Sequence, residues 1–133
     1  MNIRGCLFVW EIALPETGRK SFTRQLMPER RACLDLNAQF SARQFTQIKA
    51  GHISQGMDDK WNIGFEEPWL YFCRSWTGCC IYQIRFETIE SGARIVEAWV
   101  NRDTEQYRSP EGATFDQDFV MQLIRIRLLD KAP

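Results

Sequence analysis

Five cysteines, a single histidine and two acidic pairs are the residues of this chain whose types suit catalysis or metal binding. The cysteines are Cys6, Cys33, Cys73, Cys79 and Cys80. Zinc takes four ligands, usually delivered at short paired spacings such as C-x-x-C. Cys73, Cys79 and Cys80 fall in neighbouring strand-like runs, but successive strand residues point to opposite faces, so Cys79 and Cys80 are poorly placed to share an ion. His52 follows Gly51 at the end of a short helical pattern and reads as a loop residue. Glu66 and Glu67 are adjacent, which aims them apart on a strand and argues against a shared proton-transfer role; Asp58 and Asp59 read as a solvated loop. Nucleophilic catalysis at Cys73 or Ser75 needs a nearby base, and the one histidine lies far upstream. Phosphate-binding glycine loops and the G-x-S-x-G elbow do not occur. These observations point to no catalytic residue, no metal and no cofactor.

Aromatic and arginine residues carry more information. Five Trp and nine Phe are concentrated in the middle of the chain. Four strand-like runs stand there: KWNIGFE, PWLYFCRSW, GCCIYQIRFE and ARIVEAWVNR. Thr77-Gly78 and Ser91-Gly92 supply turn chemistry between them. A two-residue turn at Thr77-Gly78 would set Trp76 opposite Cys79 and Cys73 opposite Tyr82. That register collects Trp69, Tyr71, Cys73 and Ser75 with Cys80, Tyr82, Ile84 and Phe86 on one face. Val96, Ala98 and Val100 extend this more apolar set, which is the expected core. The second face would then hold Phe72, Arg74, Trp76, Gln83, Arg85, Glu97 and Trp99, with Ile95 beside them. Trp and Arg dominate interface hot spots, so this mixed face is the candidate binding surface. Turn architecture alone already accounts for much of Arg74, Trp76 and Gly78.

Helices must support such a sheet. Ser41 and Gln44 form a capping box, Phe40 and Phe45 stand at the positions of a hydrophobic staple, and Gly51 ends the segment. This predicts a helix over residues 42–50 with Phe45, Ile48 and Ala42 facing inward. Thr114 and Gln117 suggest a second capping box opening a helix over residues 114–129, with Asp116 and Asp118 in its first turn. Its apolar stripe is Phe115, Phe119, Val120, Leu123, Ile124 and Leu128. The expected fold is α+β: an antiparallel meander of four to five strands with both helices packed on one face.

The 133 residues suit one domain, 44% hydrophobic and 26% charged. Within it, residues 36–130 read as the α+β core. Residues 1–14 read as a strand, and residues 15–30 as a polar, basic loop. Met27 offers an alternative start, which would make residues 1–26 an extension. Net charge is zero, with a basic first part and an acidic remainder. The balance argues against a dedicated nucleic-acid binder. The apolar run at residues 6–14 is too short to span a membrane. The odd number of cysteines, several in strands, reads as reduced thiols in a cytoplasmic protein.

The segment DDKWNIGFEEPWLYFCRSWTGCCIY, residues 58–82, resembles a family of small uncharacterised bacterial proteins with a W-L-Y-F-x-R-S-W-T-G-x-C-I-Y motif. The likeness spans roughly residues 36–102 and implies a shared fold. Cys73 stands where the family pattern has His, so any chemistry resting on that His would be missing from this chain.

Taken together, the expectation is a non-catalytic cytoplasmic module that binds a protein partner, or a second copy of itself, through the aromatic and arginine face. A toxin-neutralising immunity protein is one concrete form. An alternative is a small enzyme or binder of anionic small molecules, with a pocket between sheet and helix where Arg74 or Arg85 holds the anion and Tyr71 or Glu66 moves protons. A third is single-stranded nucleic-acid binding, with Phe72 and Trp76 as stacking platforms.

Overall fold

The computed structural model describes residues 7–14, 18–108 and 113–130. The fold is α+β. Its centre is a six-stranded antiparallel sheet made of β3 (Arg31–Cys33), β4 (Gln39–Ser41), β5 (Trp61–Glu66), β6 (Trp69–Arg74), β7 (Cys80–Ile89) and β8 (Gly92–Asn101). Strands β5 to β8 form a meander, and β3 and β4 both pair with β8, at opposite ends of it. A separate hairpin pairs β1 (Leu7–Leu14) with β2 (Gly18–Gln25). Residues 18–25, expected as loop, are therefore a strand; GRKSFTRQ has no apolar run, and its partner β1 supplies the ladder. The hairpin is tied to the sheet at its end, where the Gln25 N–H donates to Gly78 O at 2.7 Å. Among the described residues, no helix is long and apolar enough to cross a membrane.

Helix α1 (Ala42–Ala50) forms as its boundary residues dictate. The Ser41 hydroxyl accepts from the Gln44 N–H, and the Gln44 side chain accepts from the Ser41 N–H. Gly51 ends it at φ 73°, a left-handed conformation that suits glycine. Phe45 and Ile48 are buried, whereas Ala42 is exposed. The C-terminal helix α2 (Ala113–Leu123) begins one residue before Thr114, which therefore lies inside it rather than capping it. The chain then continues as a π-helical segment, Ile124–Leu129. One core cluster takes Phe45 and Ile48 from α1, Val120 and Leu123 from α2, and Ile124 and Leu128 from the π-helical turn. These join Ile63, Leu70, Phe72, Tyr82, Ile84, Ala98 and Val100 of the sheet.

Pairing between β6 and β7 departs from the two-residue turn. The Arg74 N–H donates to Cys79 O, so four residues, Ser75 to Gly78, form the loop, and Cys73 opposes Cys80. That change alone moves the register by two and leaves the faces unaltered. A bulge then intervenes, and Phe72 pairs with Tyr82. The odd residue reverses the faces of β6 relative to β7 from there on. Leu70 and Phe72 consequently join Tyr82 and Ile84 in the core, and Trp69 and Tyr71 turn to the second face beside Arg85 and Gln83. A second bulge, between Arg85 and Phe86, sets Phe86 against Ile95. It places Ile95 in the core and leaves Val96 only partly buried, the reverse of the simple alternation.

Three substitutions measure these placements. Phe72 is fully buried, so Phe72→Ala should lower the unfolding free energy by about 3–5 kcal/mol. Gly92 has φ +153°, and an added Cβ would lie 2.0 Å from Phe40 O. Gly92→Ala should therefore also destabilise, by more than about 2 kcal/mol. Trp76→Ala, at a turn residue 67% exposed, should change stability by less than about 0.5 kcal/mol. Urea unfolding of the three variants checks the order.

Candidate functional site

The structure separates the seven residues expected on the second face. Phe72 lies in the core, edge-on to Tyr82 with ring centroids 6.0 Å apart. Arg74 shares the core side of β6 at its end, and its guanidinium sits 4.6 Å over the Trp61 ring and 5.7 Å from the centre of Tyr107. Trp76 projects from the β6–β7 loop. Gln83, Arg85, Glu97 and Trp99 remain together on the second face. Trp69 and Tyr71 join them, as the register pairs Trp69 with Arg85 with Glu97, and Tyr71 with Gln83 with Trp99.

Glu97 organises this surface. Its two carboxylate oxygens accept from Arg85 Nε at 3.0 Å and from Trp99 Nε1 at 2.7 Å. Arg31, on edge strand β3, places its guanidinium 4.0 Å over the Trp99 ring. The hydrogen bonds from Trp99 and Arg85, against a small opposing effect of burial, hold the Glu97 carboxyl below the usual carboxylate range. The result is an ordered Arg–Trp–Glu–Arg line across β3, β8 and β7, flanked by Trp69. The Arg85 and Glu97 side chains are 40% and 32% exposed. At one end, the same face is covered by the chain itself: Met27 and Ile53 pack with Tyr71 over the buried Cys73 and Cys80.

Two polar clusters lie elsewhere. In the first, Asp116 of α2 is wholly buried. Its Oδ1 accepts from the Tyr82 hydroxyl at 2.7 Å and the Tyr107 hydroxyl at 2.8 Å, and its Oδ2 accepts from Arg102 Nη1 at 2.8 Å. The two tyrosine oxygens are 2.9 Å apart. Burial, then hydrogen bonding with Tyr107 and Asp116, pushes the Tyr82 phenol far above its ordinary range. Burial likewise raises Tyr107, with Asp116 adding to the effect and Tyr82 opposing it. Phenols held this firmly in the protonated state do not serve as bases near neutral pH. The cluster is a clasp that joins α2, β7 and the loop after β8.

In the second, His52 is no simple loop residue. Its backbone forms a reciprocal bridge with Ile63 at 2.8 Å in each direction, extending the edge of β5. Its Nε2 lies 2.6 Å from Asp59 Oδ2, and Arg127 Nε of the π-helical turn lies 3.5 Å from Asp59 Oδ1. Burial pulls the Asp59 carboxyl upward, but the His52 hydrogen bond, the Gln55 N–H, the charge of His52 and the Trp61 N–H together bring it below its ordinary value. These residues, with Gln55, Asp58 and Ile126, line an open depression of about 360 Å³. A sequence signal did exist: an Asp seven residues after the only His, spanning a Ser-Gln-Gly loop.

Among the described residues, no three His, Cys, Asp or Glu side chains converge as a metal site would require. Arg74 and Arg85 stand on opposite sides of the sheet, so they do not converge on one anion. Phe72 is enclosed, which removes one of the two stacking platforms. Comparison of the chain with protein-family models, with curated proteins and with solved structures gives no match.

The two clusters give distinct expectations. Asp116→Ala removes the shared acceptor, leaving the two buried tyrosine hydroxyls only each other and the partly exposed Arg102 without its carboxylate, and should cost about 1–3 kcal/mol in urea unfolding. The lowered Asp59 carboxyl contributes stability that is complete above the unfolded carboxyl pKa and is lost as pH falls through the lower folded value. Asp59→Asn should thus lower stability at pH 7 and flatten its decline below about pH 4, measured as Tm against pH.

Proposed function

We propose that this chain is a cytoplasmic protein-recognition module that binds a protein partner through the second face of its sheet, with toxin neutralisation as the concrete form. The observation that carries the reading is the Arg31–Trp99–Glu97–Arg85 line. Its side chains are already fixed by hydrogen bonds and a cation–π contact, and they remain accessible. Interface hot spots are rich in Trp, Tyr and Arg, and residues ordered before binding lose less side-chain entropy when the partner arrives. Trp69 beside Arg85 adds an aromatic anchor, and Gln83 adds adaptable polar contact. The buried clasp at Asp116 is saturated by its own partners, which leaves this face as the better surface for recognition.

Affinity capture from the native host tests the reading. Trp99→Ala and Arg85→Ala, each shown to fold by circular dichroism, should lose a partner that the unaltered chain retains. Each substitution should weaken binding by at least about tenfold, roughly 1.4 kcal/mol. Trp76→Ala, which leaves the face intact, should retain it. An unchanged set of partners for both face variants would defeat the assignment.

A further inference from the structure

We infer that Cys73 and Cys80 form an oxidisable dithiol, a modification site that closes into a cross-strand disulfide beneath the covered end of the second face. Both carry thiols in this structure, both are wholly buried, and they meet in one small cluster under Met27, Ile53 and Tyr71. They are direct partners across β6 and β7. The Arg74 N–H to Cys79 O hydrogen bond, one residue toward the loop, makes Cys73 and Cys80 a non-hydrogen-bonded pair. Opposed Cα atoms in such a pair are about 4.5 Å apart, with their side chains closest. Disulfides span Cα separations of roughly 4.4–6.8 Å, so this pair can close with little backbone movement. Cys79 has the opposite orientation and belongs to the main core cluster, and Cys33 is exposed on the sheet edge. Among the described cysteines, the register therefore selects one pairing.

The oxidant is a peroxide. One thiol, as its thiolate, attacks a peroxide oxygen, giving a sulfenic acid and releasing hydroxide, which takes up the thiol's proton to form water. The second sulfur then displaces the hydroxyl from the sulfenic sulfur, forming the S–S bond and a second water. Two thiols lose two electrons and hydrogen peroxide becomes two waters. Closure ties β6 to β7 beside the bulge. Access requires the Met27 and Ile53 cover to open transiently, so the site responds to sustained rather than momentary oxidation.

The test uses the full chain with Cys6→Ser and Cys33→Ser, and the unaltered chain in parallel, treated with hydrogen peroxide and alkylated. Before alkylation, intact mass should fall by about 2 Da, the loss of two hydrogens. Trypsin cuts after Lys60, Arg74 and Arg85, so the expected product is a linked pair of peptides, residues 61–74 joined to residues 75–85, with tandem fragmentation placing the bond at Cys80. In denaturing urea the preference for Cys80 over Cys79 should vanish. A bond within the second peptide, a bond through Cys79, no loss of mass, or the same preference in urea would each overturn the inference.

Discussion

The Tyr82 side chain is enclosed on every side: its ring meets Trp61, Phe72, Tyr107 and Phe119, and its hydroxyl reaches the buried carboxylate of Asp116. A buried carboxylate is tolerable only when its acceptors are filled, and here two phenols and Arg102 fill them. This places a strict demand on β7. Its Tyr must point toward the helices, although Cys80, two residues before, points away from them. The extra residue at Ile81 makes both orientations possible. The faces of β6, and hence the residues left for the opposite surface, follow from that one adjustment.

Local signals in the chain decide structure where the physics is local. The Ser41–Gln44 box and Gly51 bound a helix through contacts three or four residues apart, and the four strand runs appear where β-branched and aromatic residues cluster between turns. Ala98 and Val100 lie in the core as alternation requires. Bulges defeated the rest. The extra residues at Ile81 and Val96 have apolar side chains like their neighbours, so nothing in composition announces them, yet each reverses parity. Phe72 and Tyr71 exchanged sides for this reason, as did Ile95 and Val96. Strand β2 was missed because its polar sequence pairs only in the presence of β1. The His52–Asp59 contact depends on a tertiary bridge to Ile63 that no local pattern encodes.

The second face also shows how a surface can be polar in composition and still rigid. Glu97 faces Arg85 across the β7–β8 ladder and accepts from Trp99 two residues along its own strand. An isolated exposed ion pair contributes little to stability. A carboxylate fixed at both oxygens instead sets the rotamers of an indole and a guanidinium, and Arg31 then settles on the indole. Shape, rather than folding free energy, is what this arrangement supplies, and shape is what a recognition surface requires.

The Asp116 clasp has a consequence for the order of events during synthesis. Tyr82 leaves the ribosome well before Tyr107 and Asp116. Until α2 follows, Tyr82 has Trp61 and Phe72 beside its ring but lacks Phe119 and the Asp116 acceptor for its hydroxyl. Domains complete their cores only once the contributing elements have emerged, and exposed sheet faces invite association in the interval. The core described here thus closes only once α2 has been made.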